Sequence, residues 1–163
     1  MGYVERHLLP NERVLYKTKL HWVLFLKPAL VTLLGLAITV ALGALTQVEW
    51  LWYLSLLVIA AGLVWGAIQA VELVTSEFAV TTTRLIFKVG LIGRYTMELL
   101  LGKVESIGVQ QTLVGRLLNY GDLVVTGTGG AREVFRRVHD PIGFRNHVQQ
   151  ASVQAFEPER GQA

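Results

Sequence analysis

The chain has 163 residues, 52% of them hydrophobic, and a formal net charge of +3 at pH 7. Its mean hydropathy of +0.45 is above that of a typical soluble domain. The absence of cysteine excludes a disulfide framework and a cysteine-ligated zinc site. The polar residues 1–21 precede the first apolar segment, which is the wrong order for a cleaved signal peptide, so we expect the chain to keep its N-terminus.

Charged residues are absent from residues 29–71 except for Glu49. A helix needs about 20 apolar residues to cross a bilayer core roughly 30 Å thick, and the segments 22–45 and 50–71 both satisfy this length. Only the connector 46–49 separates them, which predicts a tight antiparallel hairpin. The alternative is a helical hairpin buried in a soluble core, but the rest of the chain offers no such core. We therefore predict a multi-pass membrane protein with an N-terminal transmembrane hairpin.

The charges that flank the predicted hairpin indicate its orientation. The positive-inside rule places the more basic flank in the cytoplasm. The connector carries only Glu49, whereas residues 1–28 carry several basic residues against Glu5 and Glu12. Both termini are therefore expected in the cytoplasm, with residues 1–21 as a cytoplasmic N-terminal segment. The basic residues are Arg6, Arg13, Lys17, Lys19 and Lys27.

Residues 75–153 contain short β-branched runs broken by turn residues, which predicts an antiparallel sheet. Alternating polar and apolar residues at 95–99 predict a strand with one solvent-exposed face. The glycine pair at 129–130 predicts a hairpin turn. The predicted strands cover residues 78–81, 85–89, 95–99, 104–110, 123–128 and 133–138, with a further turn at 90–93.

Helix signals interrupt and end this sheet. Thr112 is a candidate N-cap for a short helix over residues 112–119. Asp140 and Pro141 mark a second helix start, because Asp caps a helix and Pro fits its first position. Residues 154–163 are predicted as a flexible tail. The last helix has an apolar stripe that can pack on the sheet, formed by Phe144, Val148 and Ala151.

Short motifs along the chain carry a family resemblance through their order and spacing. They are LPNERVLY (9–16), HW (21–22), TTTRLI (81–86), GLIGR (90–94), QQTLVGRLLNYG (110–121) and the pair Asp140-Pro141. With these motifs, residues 77–150 resemble the bacterial pleckstrin-homology-like (PH-like) domain of YdbS-like membrane proteins, and the similarity extends upstream through the hairpin.

The resemblance implies an α+β membrane protein in which the hairpin is followed by a PH-like small β-barrel or bent antiparallel sheet with a C-terminal helix. It also implies a bacterial cytoplasmic (inner) membrane location and no established enzymatic activity. Residues 14–20 remain open between a strand added to the domain and a helix at the membrane interface.

No pattern of catalytic or metal-ligating residues is evident. The histidines lack the close spacing of a metal site, and His139 beside Asp140 is explained more simply by an exposed residue at a helix start. The glycine-rich residues 126–130 lead into a strand rather than a helix, which favours a hairpin turn over a phosphate-binding loop. We therefore expect a non-enzymatic protein without metal or cofactor. The histidines are His7, His21, His139 and His147.

Two surfaces of the predicted domain are candidates for interaction. Arg84, Lys88 and Arg94 lie around its first turns, where a domain tethered to an anionic leaflet could bind lipid headgroups. The alternative is an ordinary solvated basic face. Gln110, Gln111 and Arg116 lie where the sheet is interrupted, in a segment that either plugs one end of the fold or presents an edge to a partner.

Two functions follow from these surfaces. The first is a membrane-anchored interaction module that binds protein partners or forms homo-oligomers, and the second is a sensor or adaptor for anionic lipid headgroups. Nucleic-acid binding is not expected, because basic and aromatic residues do not cluster on one platform.

Overall fold

The structure is a computed structural model that describes residues 3–45, 49–90 and 95–156. The chain divides into two compact units, one formed by Trp22–Val74 and the other by Met1–His21 together with Thr75–Ala163. The helices are α1 (Tyr3–Arg6), α2 (Leu26–Leu45), α3 (Glu49–Thr75), α4 (Leu113–Leu117) and α5 (Pro141–Phe156). The strands are β1 (Val14–Thr18), β2 (Glu77–Thr81), β3 (Arg84–Val89), β4 (Tyr95–Leu100), β5 (Val104–Gln110), β6 (Tyr120–Gly127) and β7 (Arg132–His139).

The helical unit begins with a 3-10 turn at Trp22–Phe25 and continues into α2 and α3. Both helices are long and apolar enough to cross a membrane, with a mean hydropathy of 2.2 over Trp22–Ala44 and 2.1 over Trp50–Thr75. Helix α3 passes the predicted end at residue 71, because the following residues, Glu72–Thr75, include neither Gly nor Pro.

Small residues let α2 and α3 approach each other closely. A Cβ atom added to Gly62 would lie 2.9 Å from the Thr32 backbone nitrogen, and one added to Gly35 would lie 2.8 Å from a side-chain carbon of Ile59. Such glycines permit helix packing that a larger side chain would prevent. The predicted helical hairpin is therefore reproduced within this unit, while the connector residues 46–48 lie outside the described residues.

The β-rich unit contains two antiparallel sheets, ordered β1-β2-β3-β4 and β5-β6-β7. Residues 14–18 form the strand β1, which pairs with β2, so the strand alternative for this segment is correct. The chain after β1 then reaches β7 through an isolated bridge between Leu20 and Val138 and a hydrogen bond of 2.9 Å from His139 N to Lys19 O. The N-terminal residues thus join the two sheets on one side of the domain.

On the other side the sheets do not close into a barrel. Within the part of the chain that the structure describes, β4 and β5 each pair with one strand only. The bent-sheet alternative therefore describes the fold, and the closed small barrel does not. Helix α5 packs across both sheets and contacts β1, β2, β5 and β6.

Aromatic side chains fill the core between the sheets and α5. The rings of Phe87 and Phe135 stack at a centroid distance of 4.2 Å, and Phe144 from α5 approaches Phe87 at 5.7 Å. Phe144, Val148 and Ala151 are all buried, which confirms the predicted apolar stripe.

The first sheet is covered on both faces. Val4 from α1 is fully buried in a cluster with Ala79 and Ile86, on which Tyr3 and Leu8 also pack. All five residues of β2 are consequently buried, rather than alternating between core and solvent. The N-terminal segment is therefore part of the domain, as a cover and an edge strand.

The other predicted elements agree with the structure to within a few residues, with one exception. Helix α5 continues to Phe156, so residues 154–156 belong to it and not to the predicted tail. The end of that tail, residues 157–163, and most of the turn predicted at 90–93 lie outside the described residues. Gly129 and Gly130 have φ values of +101° and +78°, which suits the predicted turn between β6 and β7.

Candidate interaction surface

Arg84 is held in an ion-pair network at the turn between β2 and β3. Its Nη2 donates to Glu12 Oε2 at 2.9 Å and its Nε donates to Glu12 Oε1 at 3.0 Å. Glu12 also accepts hydrogen bonds from Leu9 N and from the hydroxyls of Thr81 and Thr83. Burial alone would raise the pKa of Glu12, but these hydrogen bonds, led by that of Arg84, lower it to about 2.

Two further donors of Arg84 are also engaged. Nη1 donates to Glu98 Oε2 at 2.6 Å, and Nη2 donates to the carbonyl of His7 at 2.7 Å. The Arg84 side chain is only 13% exposed. Arg84 therefore fastens the segment before β1 to the first sheet, and its charge is balanced within the chain.

Lys88 and Arg94 are the other two basic residues of this predicted surface. The Lys88 ammonium lies over the ring of Tyr3, 4.8 Å from its centroid. Such a cation–π contact holds the cation against α1. Arg94 lies outside the described residues. Arg84 and Lys88 therefore both have contacts within the chain, and a lipid headgroup would have to replace these contacts.

The segment between β5 and β6 contains the predicted short helix, α4. The hydroxyl of Thr112 accepts a hydrogen bond from Gly115 N at 3.0 Å, which confirms Thr112 as the N-cap. Helix α4 approaches β6 so closely that a Cβ atom on Gly115 would lie 2.6 Å from the carbonyl oxygen of Tyr120. Asn119 then takes a left-handed conformation with φ of +56° to lead the chain into β6.

Helix α4 presents its large apolar side chains to solvent. Leu113 is 84% exposed and Leu117 is 85% exposed, four residues apart on one side of the helix, and Val114 is 55% exposed. We call these three residues the α4 apolar face. The structure shows that Leu113 and Leu117 do not pack into the core.

A groove with a volume of about 340 Å³ lies beside α4. We call it the Arg116 groove. Gln111 lines it and donates from Nε2 to Tyr120 O at 3.0 Å, while Gln110 is exposed at the end of β5. The residues that line the groove are Val109, Gln111, Arg116, Asn119, Ile142 and Arg145.

The structure thus brings two of the predicted residues, Gln111 and Arg116, to one site and adds Arg145 and Ile142 from α5. One sequence feature, the predicted helix cap at Asp140, indicates why these two residues of α5 lie beside α4. Asp140 caps α5 by accepting a hydrogen bond from Gly143 N at 3.3 Å, and Asn119 Nδ2 lies 3.5 Å from the same Asp140 oxygen. The cap places the first turns of α5 beside the end of α4.

The carboxylate of Asp140 is occupied by its own partners. Tyr16 donates its hydroxyl to Asp140 Oδ2 at 2.5 Å. Hydrogen bonding from Tyr16 is the main reason that the pKa of Asp140 is lowered. Burial and this bond raise the pKa of Tyr16 to about 12. Asp140 is therefore anchored to β1 and the start of α5.

All four histidines serve in aromatic contacts of the domain, and His7 stacks on Tyr3 at 4.0 Å. His21 stacks on Tyr120 at 5.1 Å and on His139 at 5.5 Å, and His147 stacks on Tyr16 at 4.2 Å. Burial, together with the neighbouring His139, lowers the pKa of His21. Among the described residues, no three His, Asp or Glu side chains are grouped so that they could hold a metal ion.

Comparison with known proteins gives one match. The family model described as "Bacterial PH domain" matches residues 29–152, which begin within α2 and end near the end of α5. No curated protein and no solved structure matches the chain.

Proposed function

The chain belongs to the bacterial PH domain family, and from this premise we propose that it is a membrane-anchored, non-enzymatic interaction module. In this proposal the two helices anchor it in the bacterial inner membrane with both termini in the cytoplasm. The domain binds protein partners or further copies of the chain. Family membership supports the interaction role, because PH-like domains are generally interaction modules.

The surface of the two long helices supports the anchor. Only 17% of the most apolar window of Trp22–Ala44 and 11% of that of Trp50–Thr75 is buried within the chain. The core helix of a soluble protein would be mostly covered by its own chain. An apolar surface of this length is stable when lipid covers it. The basic N-terminal flank supports the cytoplasmic orientation of the domain.

The α4 apolar face is the observation that carries the interaction role. Burying a Leu side chain contributes about 1.5–3 kcal/mol, so two leucines more than 80% exposed are an unusual feature of a domain surface. They lie next to the Arg116 groove and to β5, one of the two outer strands of its sheet in the described chain. A protein partner that packs on Leu113 and Leu117 removes both from water.

Headgroup binding at Arg84 and Lys88 has less support. A headgroup phosphate would have to compete with Glu12 and Glu98 for Arg84. Binding would break a buried ion pair, which costs several kcal/mol. We therefore treat lipid binding as an outcome that the experiments must distinguish.

The test is cross-linking in native membranes followed by purification under gentle detergent. Cells carry a tagged chain together with a copy bearing a second tag, so that self-association and foreign partners are both detected. We expect a discrete cross-linked product with the unaltered chain and its loss in the double variant Leu113→Asp, Leu117→Asp.

The matched control is Val134→Asp, because Val134 is a 44% exposed residue on β7 and outside the α4 apolar face. This variant should keep the product. A monomer that cross-links to nothing, or a product equally abundant in both variants, contradicts the proposal.

A further inference from the structure

We propose that the Arg116 groove binds an acidic peptide segment of the partner, with a carboxylate at Arg116 and Arg145 and the peptide backbone along β5. This inference rests on the proposed function, since it names the chemistry that the interaction module recognises. Its support comes from charge, from an unsatisfied donor and from the shape of the neighbouring surface.

The positive charge in the groove has no compensating carboxylate within residues 3–45, 49–90 and 95–156. Arg116 and Arg145 both line it, and the other lining residues are neutral. In the described chain, ion pairs join Lys17 to Glu5 and Glu77, and Arg84 to Glu12 and Glu98. The carboxylate of Asp140 is near the groove but accepts its bonds from Tyr16, Gly143 and Asn119. Two arginines therefore face a concave surface on which the described residues place no acidic partner.

Arg145 also carries a donor without an acceptor. Its Nε is buried and has no hydrogen-bond partner among the described residues. A buried donor that lacks a partner costs about 1–3 kcal/mol, and more in a charged group. Arginine binds carboxylates through paired hydrogen bonds, which supply both charge and acceptors. A carboxylate brought by a ligand compensates this guanidinium.

The surroundings favour a peptide over a small anion. The groove includes the apolar side chains of Val109 and Ile142, and its volume of about 340 Å³ exceeds the space needed by a phosphate alone. Val109 belongs to β5, whose outer side has no strand in the part of the chain described. An extended peptide can pair with this edge, place one acidic side chain at the arginines and cover the α4 apolar face.

Gly108 makes the approach to β5 easier. A Cβ atom there would meet only Val124, at 3.7 Å or more, so the position does not need glycine for packing within the sheet. Glycine inside a strand often marks a place where another backbone comes close. Its presence on the exposed edge strand agrees with strand addition.

The experiment selects a phage-displayed library of random dodecapeptides on the full chain in nanodiscs of neutral phosphatidylcholine. We expect the selected peptides to be enriched in Asp and Glu over the input library. Their binding should weaken at least tenfold in Arg116→Gln and in Arg145→Gln. Arg132→Gln is the matched control, because Arg132 is exposed on β7 and outside the groove, and it should leave binding within twofold.

Two further arms make the result decisive. Arg145→Lys keeps the charge but not the paired donors, and should bind more weakly than the unaltered chain. Glycerol 3-phosphate, a soluble headgroup analogue, should not displace the peptides at millimolar concentration.

The inference is overturned if no peptides are selected, if the selected peptides lack acidic enrichment, if both Gln variants bind normally, or if glycerol 3-phosphate displaces the peptides. A failure here with an intact cross-linked product in membranes would reject the acidic ligand and leave the interaction module standing. If the unaltered chain gives no cross-linked product, both the acidic ligand and the interaction module are rejected.

Discussion

Glu12 accepts two hydrogen bonds from Arg84, at 2.9 and 3.0 Å, across a sequence separation of 72 residues. The pair joins the segment before β1 to the turn between β2 and β3. Because β1 also leads to the bridge with β7, this contact helps to keep the two sheets of the domain together.

Glu12→Gln should therefore destabilise the domain. The substitution removes the charge that balances Arg84 in a site where the Glu12 side chain is 1% exposed. We expect the free energy of unfolding to fall by about 2–3 kcal/mol, measured by thermal unfolding of the full chain in detergent with circular dichroism. Glu105→Gln, at an exposed position of β5, is the control and should change stability by less than about 0.5 kcal/mol.

The effect of Glu12→Gln should depend on pH in a defined direction. The pKa of Glu12 is lowered from 4.5 to about 2 in the folded chain, so its stabilisation is complete above pH 4.5 and is lost as the pH falls through about 2. The stability difference between the unaltered chain and the variant should shrink over this interval. A difference that stays constant from pH 7 to pH 2 would refute the assignment.

Phe135→Ala should remove the centre of the aromatic core. Phe135 is 5% exposed and contacts Phe87 and Phe78 from the first sheet. The expected loss is about 3–5 kcal/mol, seen as faster hydrogen exchange throughout β3 and β7. Val134→Ala, one residue earlier and 44% exposed, should leave this exchange nearly unchanged. Equal effects would show that the core does not depend on this ring.

Gly62→Ala should disturb the contact between α2 and α3. The added Cβ would lie 2.9 Å from Thr32 N, so the helices must separate, at an expected cost of about 1–3 kcal/mol. Gly66→Ala is a matched control on the same helix, since its Cβ meets only Pro28 at 3.8 Å. All four tryptophans lie in the helical unit, so their fluorescence during thermal unfolding reports on this contact. Equal shifts of the unfolding temperature in Gly62→Ala and Gly66→Ala would contradict a close contact at Gly62.

The absence of cysteine allows a direct test of the proposed orientation. Single cysteines replace Gln47 in the predicted connector and Thr128 beside the glycine turn of the domain. A membrane-impermeant maleimide should label Gln47→Cys in intact spheroplasts and Thr128→Cys only after lysis. Labelling of Thr128→Cys in intact spheroplasts would show that the domain lies outside the cytoplasm, opposite to the orientation expected from the positive-inside rule.

Local chemistry made much of the fold predictable from the sequence. Thr112 and Asp140 are caps whose partners lie three residues away, and the stripe Phe144, Val148, Ala151 follows the helical period. The two long apolar segments required only a count of uncharged residues. Each of these signals is contained within one turn or one element.

The remaining features depend on residues far apart in the chain. A sequence gives the charge of Arg84 but not its partner Glu12, and therefore does not tell a structural cation from a free one. The buried outer face of β2 depends on Val4, more than seventy residues earlier. The Arg116 groove likewise combines β5, α4 and α5, so Arg145 could be placed in it only once the strands were paired.

We propose that the domain is anchored in a membrane and that its α4 apolar face binds a protein. The most direct measurement is photo-cross-linking in living cells with p-benzoylphenylalanine in place of Leu117, compared with the same probe in place of Val134. We predict a discrete protein adduct from Leu117 in the membrane fraction and none from Val134. Adducts with lipid alone, or the same products from both positions, would contradict the account.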